Sequence, residues 1–313
     1  MSKCAVCKSE GVDPVLKKPR ASQDGGSLIL LKCRACKSVF LSKGHETDLA
    51  GIYDYYSQLN GLDKKLLYDP LTEKRYFELL KYFEKISAPG RDILDVGCGN
   101  GHFIDAAIRS GWNARGIEIS QPAVDICRKF GLPVEKLDFF SEQLKPESLD
   151  VLMMFEVMEH VSDPSGFLKR SEVLLRPEGI LYFTTPNFNS LDRKFLGAKW
   201  HVIHYEHLNY FTPEAIRRIV GGLTGMQVHS IKTKNISMEL FSRLLKKSNE
   251  KSEKPQKLTY NINNSCVNQE QRLRNMAENN FILNSGKKML NYFLNQFECG
   301  STINVILRKP GKA

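Results

Sequence analysis

The 313-residue chain contains no apolar run approaching the roughly 18 consecutive residues that a membrane span needs. Its N-terminus, Met1-Ser2-Lys3-Cys4, has no apolar h-region and does not read as a secretory signal. A reducing, cytoplasmic location is therefore expected, and the eight cysteines read as thiols or metal ligands before disulfides. There is no internal repeat. The dinucleotide fingerprint Gly-x-Gly-x-x-Gly is missing, because counting from Gly97 the third glycine position holds His102. No Gly-Lys-Ser/Thr follows the glycine cluster either, which excludes a phosphate-binding P-loop.

A hydrophobic fraction of 42% is enough for a sizeable core, and the length suits one α/β domain with something smaller beside it. The net charge of +10 is unevenly spread. Residues 1–45 hold 9 Lys/Arg against 3 Asp/Glu, residues 46–229 hold 21 against 26, and residues 230–313 hold 15 against 6. The basic ends can steer a polyanion or simply form a solvated surface. The acidic middle weakens the case for a nucleic-acid enzyme.

Five segments follow from the patterning. Residues 1–43 hold two Cys-x-x-Cys pairs around short apolar runs, and residues 44–90 read as N-terminal helices rich in tyrosine and phenylalanine. Residues 91–233 alternate strand-like runs with helical patterns, the signature of a parallel α/β sheet. Residues 234–300 form a basic, Asn- and Lys-rich helical insertion, with a mobile loop expected around Ser248–Pro255, and residues 301–313 carry a closing strand and tail. Strands are expected at Asp92–Val96, Ala114–Ile117, Val134–Leu137, Leu149–Phe155, Ile180–Thr184, Met226–Lys232 and Thr302–Leu307. Asp163-Pro164 and Thr212-Pro213-Glu214 read as helix starts with an N-cap and a proline in the first turn, and Arg176-Pro177-Glu178-Gly179 reads as a turn.

The glycines Gly97-x-Gly99-x-Gly101 sit in a turn from a first strand into a helix, where a ligand can approach the backbone closely. Ile93-Leu94-Asp95-Val96-Gly97-Cys98-Gly99-Asn100-Gly101 resembles the first motif of class I S-adenosylmethionine-dependent methyltransferases, and Glu206-His207-Leu208-Asn209-Tyr210-Phe211 resembles a block of a branch acting on small molecules, often in glycan or secondary-metabolite pathways. Glu118, Asp138-Phe139, the block Phe155-Glu156-Val157-Met158-Glu159-His160-Val161, and Leu174–Gly179 resemble that family's later landmarks, with Pro-Glu-Gly where Pro-Gly-Gly is usual. The resemblance implies a Rossmann-like α/β fold with a mostly parallel seven-stranded sheet and S-adenosylmethionine as cofactor. It places Asp95, Gly97, Cys98, Gly99, Gly101, Glu118, Ile119, Asp138, Phe139, Phe155 and Glu156 at the cofactor. Glu118 would meet the ribose hydroxyls, Asp138 the adenine, and Ile119 with Phe139 the faces of the ring. Cys98 also reads as a small buried filler, and Glu159 and His160 as structural hydrogen-bonding groups.

Cys4-Ala5-Val6-Cys7 and Cys33-Arg34-Ala35-Cys36 are two knuckles that can complete a tetrahedral structural zinc site in a small zinc ribbon with little core of its own. A redox dithiol is the rival, disfavoured by the symmetry of the pairs. Cys127, Cys266 and Cys299 have no ligand spacing.

Trp200–Glu214 concentrates His201, His204 and His207. A histidine of near-neutral pKa suits removal of an acceptor proton, with His207 the first candidate and His204 and His201 next. Pocket-wall roles are equally compatible, and a three-histidine metal site lacks an accompanying carboxylate pattern. Tyr53, Tyr56, Trp200, Tyr205 and Tyr210 are candidate acceptor contacts. The leading function is O-methylation of a sugar, glycan precursor or other small metabolite. An RNA methyltransferase using the ribbon and basic tail is the alternative, without an Asn-Pro-Pro-Tyr-type motif to support it. A non-catalytic cofactor-binding scaffold is the third. The sequence is silent on oligomeric state.

Overall fold

The computed structural model describes residues 3–19, 27–42, 70–86, 90–237, 240 and 281–311. Tyr53, Tyr55, Tyr56, Tyr68, Cys266 and the loop around Ser248–Pro255 lie outside them. The described chain begins with β1 (Val12–Pro19), β2 (Ser27–Cys33) and β3 (Val39–Leu41), followed by α1 (Pro70–Ile86). The α/β alternation runs β4 (Asp92–Val96), α2 (His102–Arg109), β5 (Asn113–Glu118), α3 (Gln121–Lys129), β6 (Val134–Lys136), β7 (Leu149–Phe155), α4 (Pro164–Leu174) and β8 (Leu175–Pro186). After β8 come α5 (Leu191–Leu196), β9 (Asn209–Tyr210), α6 (Pro213–Leu223), β10 (Gln227–Lys234), α7 (Phe281–Gln296) and β11 (Thr302–Arg308).

The central sheet has seven strands in the order β10-β11-β8-β7-β4-β5-β6. Strands β6, β5, β4, β7 and β8 run parallel, and β11 is antiparallel to both neighbours. Helices cover both faces, so the middle strands are apolar almost throughout. In β7 six of seven residues are buried. One apolar cluster, including Leu94, Leu152, Phe183 and Ile216, packs against α4 and α6. The other, including Ile93, Val151, Ile104 and Phe83, packs against α1 and α2.

The segment Arg176–Gly179 is part of β8 and not a free turn. Leu149 pairs with Leu175, but Val151 pairs with Ile180, so β8 loops outward over residues 176–179 before rejoining the register. Glu178 at φ 66° makes the bend, and Gly179 is required because a Cβ there would lie 2.8 Å from the Arg176 carbonyl oxygen. The detour places the Arg176 guanidinium 2.6 Å from Asp150 and 2.8 Å from Asp92, which neutralises the buried Asp150 between two strand ends. Turn-forming residues here serve a bulge.

Two helix starts differ from each other. Thr212 caps α6 as expected, its hydroxyl accepting from the Ala215 amide at 3.1 Å. Asp163 occupies the N-cap of α4 but makes no side-chain cap bond, and its carboxylate faces Lys8 at 3.1 Å.

A second, antiparallel sheet has the order β1-β2-β3-β9. Its first three strands belong to the N-terminal segment and its fourth to the loop after β8. Trp200, Ile203 and Tyr210 are buried with Leu28, Leu30 and Val39 between these parts. Thr212→Ala should lower the unfolding free energy by about 1 kcal/mol, and Thr212→Ser should restore most of it, as read by denaturant melts.

Candidate functional site

All three loop glycines adopt positive φ: 69° at Gly97, 52° at Gly99 and 77° at Gly101. Their surroundings separate their roles. A Cβ on Gly97 would press on Val157, and one on Gly101 would lie 2.6 Å from Leu132. A Cβ on Gly99 would meet nothing within 4 Å, because Gly99 faces a cavity of about 840 Å³. Gly97 and Gly101 shape the turn. Gly99 presents backbone to whatever fills the space.

Glu118, at the end of β5, fixes that loop. Its Oε2 accepts from the Gly99 amide at 2.9 Å, and its Oε1 accepts from the amides of Ile119 at 2.7 Å and Ser120 at 3.0 Å. A carboxylate offers about four acceptor positions, so capacity remains for a ligand hydroxyl. Ile119 is 43% exposed at the cavity rim. Phe139 is buried in the wall, stacked on Phe167 at 4.8 Å. The Asp138 Oδ1 accepts from the Phe140 amide at 2.7 Å.

Of the residues expected at a cofactor, Gly97, Gly99, Glu118, Ile119, Asp138, Phe139, Phe155 and Glu156 line the cavity. Asp95, Cys98 and Gly101 do not. Asp95 is buried beneath the loop, and among the described residues its Oδ1 has no hydrogen-bond partner. Burial and the nearby Glu118 hold its carboxyl well above the usual carboxylate range. Cys98 packs behind the loop, where a Cβ on Gly116 would lie 2.7 Å from its sulfur, so it fills space under the turn. Leu137, Val157, His160, Val161, Ser162, Phe167 and Leu208 also line the cavity. Phe167 gave no sequence signal beyond an apolar helical position. His160 was visible in its motif but read as structural.

The histidine-rich segment is only partly at the cavity. The His207 ring centroid lies 3.9 Å from that of His204 and 4.6 Å from that of His160. His160 is the member that lines the cavity, with its Nδ1 3.0 Å from the Glu206 carbonyl oxygen. His201 is exposed. Burial, reinforced by the neighbouring histidines, pushes His207 down to about 2 and His204 to about 4. Both are neutral and weakly basic near pH 7. Glu159, His160 and His207 place ligand-type atoms within 4.8 Å of one another, a grouping different from the three histidines of the sequence segment. Trp200 and Tyr210, expected as acceptor contacts, belong to the core under the N-terminal sheet, and Tyr205 is exposed away from the cavity lining.

At the N-terminal sheet, Cys4, Cys7, Cys33 and Cys36 converge, with Sγ–Sγ distances of 3.7 Å for Cys4–Cys36 and 3.6 Å for Cys7–Cys33. The two knuckles repeat each other. Lys8 and Lys37 follow them at φ 62° and 64°, and the Cys4 and Cys33 amides each donate to the carbonyl of a serine five residues on, Ser9 and Ser38.

The family described as "Methyltransferase domain" matches residues 68–230, just over half the chain and all of the glycine loop and cavity. The chain belongs to this family. The chain is 35% identical over 109 residues to a ubiquinone biosynthesis O-methyltransferase of Actinobacillus pleuropneumoniae serotype 7 (strain AP76), covering 31% of this chain and 47% of that protein. It is 28% identical over 147 residues to the ubiquinone biosynthesis O-methyltransferase of Stutzerimonas stutzeri (strain A1501), covering 44% and 63%. The chain thus spans less than two thirds of these relatives. A SAM-dependent methyltransferase from Archaeoglobus fulgidus shares the fold with a TM-score of 0.50 at 20% identity, over 82% of this chain and 99% of that one.

Gly101→Ala should destabilise the methyltransferase domain more than Gly99→Ala. Both force a side chain into a left-handed backbone costing about 1–2 kcal/mol, but only Gly101 adds a clash. Gly99→Ala should instead show its larger effect on ligand affinity, checked by comparing melts with and without S-adenosylhomocysteine.

Proposed function

We propose that the chain transfers the methyl group of S-adenosylmethionine to an oxygen of a small acceptor. The observation that carries this reading is one cavity lined by Gly99, Glu118 and Asp138 together with Glu156 and His160. The first three fit the cofactor. The Oδ1 of Asp95, without a partner among the described residues, and the open space over Gly99 suit its amino-acid end. The remaining acceptor capacity of Glu118 suits ribose hydroxyls, and Ile119 and Phe139 provide apolar faces for adenine. The cofactor contributes a methyl carbon activated by sulfonium charge, so a carbon–oxygen bond forms as the carbon–sulfur bond breaks and the acceptor proton is lost. The protein's task is to hold donor and acceptor in line and to exclude competing water.

The named relatives support oxygen as the acceptor atom. A hydroxyl of a sugar, glycan precursor or comparable metabolite remains the acceptor class we favour. Of the histidines, we favour His160 for contact with that hydroxyl because it lines the cavity, with His207 packed on it and on His204.

The cysteine cluster fits structural zinc. A tetrahedron with zinc–sulfur bonds of about 2.3 Å has sulfur–sulfur edges of about 3.8 Å, close to the distances found. Held by zinc, the ribbon acts as a wall of the methyltransferase domain: β3 pairs with β9, and the Ser165 hydroxyl donates to the Val6 carbonyl. Such a use leaves less of it for RNA.

Saturating S-adenosylmethionine, at about a hundredfold over its dissociation constant, should stabilise the protein by about 2.7 kcal/mol. Glu118→Ala should weaken that binding about tenfold or more, the loss of a charge-assisted hydrogen bond. No stabilisation at saturation contradicts the reading, and tight, salt-dependent RNA binding would move the acceptor to nucleic acid.

A further inference from the structure

Cys98 and Cys127 belong neither to the four-cysteine cluster nor to the cavity lining. They converge beneath the glycine loop from different elements, Cys98 from the turn after β4 and Cys127 from α3. Both sulfurs approach one atom. The Gly99 carbonyl oxygen lies 3.3 Å from the Sγ of Cys127 and 3.9 Å from the Sγ of Cys98. Glycines clear the space around the pair: a Cβ on Gly101 would lie 3.0 Å from the Cys127 sulfur, and one on Gly116 would lie 2.7 Å from the Cys98 sulfur. The two thiols also meet each other. The hydrogen bond between them holds Cys98 above, and Cys127 below, the usual cysteine range.

Access to the pair is one-sided. Cys127 is fully buried and Cys98 is part-exposed, so a small oxidant enters beside Cys98. Gly99 connects the pair to the cavity. Its carbonyl faces the sulfurs, while its amide donates to Glu118 at 2.9 Å and holds the loop in place. A disulfide needs its sulfurs about 2.05 Å apart, with a torsion near about 90°. Drawing Cys98 toward α3 to reach that geometry moves the Cys98–Gly99 peptide, which carries the amide that Glu118 holds.

We propose that Cys98 and Cys127 form an oxidation site, which hydrogen peroxide closes to a disulfide that weakens cofactor binding in the cavity above. Whichever sulfur attacks first breaks the peroxide O–O bond, becomes a sulfenic acid and releases one water. The other thiol then displaces the sulfenic oxygen, so that an S–S bond forms and a second water leaves. Two thiols are oxidised to one disulfide, and one peroxide is reduced to two waters. A dithiol reductant reverses the change by exchange. The effect on the cofactor rests on the methyl-transfer reading; the disulfide itself does not.

The test uses the full chain with its four-cysteine cluster first filled with zinc. It is treated with hydrogen peroxide, alkylated, and digested without reductant for peptide mapping. A Cys98–Cys127 cross-link within one chain is expected, with zinc retained. Affinity for S-adenosylhomocysteine, read by calorimetry, should fall about tenfold or more, as for loss of the hydrogen bond from Gly99 to a charged carboxylate. Dithiothreitol should restore it. Cys127→Ser should show neither the cross-link nor the peroxide-dependent fall in affinity. Should that variant fail to fold, the wild-type map and its reversal by dithiothreitol decide. Absence of the cross-link, or a cross-link to a different cysteine in its place, overturns the proposal, as does a Cys98–Cys127 cross-link with unchanged affinity. A chain that forms the cross-link but binds no S-adenosylhomocysteine even when reduced would instead count against the proposed function and leave the oxidation site standing.

Discussion

The carboxylate of Glu118 holds the glycine loop in the shape on which the cavity depends. It accepts the Gly99 amide from one strand end and the Ile119 and Ser120 amides from the next, so two neighbouring parallel strands present a joined rim. The positive φ angles at Gly97, Gly99 and Gly101 permit the turn, but the acid keeps the Gly99 amide from pointing elsewhere. Burial, with this charge adding to it, holds the carboxyl of Asp95 beneath the loop above its usual range.

The second controlling element is the loop after β8, which lends Leu208 to the cavity lining. Asn209 ties it to the Glu156–Val161 block, and its two-residue strand β9 joins β3 of the N-terminal segment. Lys18 adds donors to the carbonyls of Trp200 and Ile203. The cysteine-bearing sheet and the histidine-bearing loop are therefore joined by backbone pairing and side-chain hydrogen bonds. This accounts for Trp200 and Tyr210 being core: they fill the seam between the two sheets and not the space where an acceptor would sit.

Much of this was legible in the sequence, for physical reasons that also mark where legibility stops. Strands buried on both faces must be apolar, so Leu149–Phe155 and Asp92–Val96 could be placed closely. Thr212-Pro213 states its cap locally, and the structure obeys. Asp163-Pro164 states the same, yet its carboxylate is drawn toward Lys8, a residue distant in sequence. Pro177-Glu178-Gly179 has turn chemistry because a bulge needs the same dihedrals as a turn, and only the pairing partner tells them apart. The junction of Glu159 with His207 was invisible for a related reason. No spacing rule links them, and they meet because Asn209 and the Glu159 carbonyl bring two loops together.

The most direct measurement of the central claim is an experimental structure of the chain with S-adenosylhomocysteine. The ribose hydroxyls should lie within hydrogen-bonding distance of Glu118, with the adenine between Ile119 and Phe139 and the amino-acid end over Gly99 toward Asp95. A ligand bound elsewhere, or a cavity still empty at saturating ligand, would contradict the account.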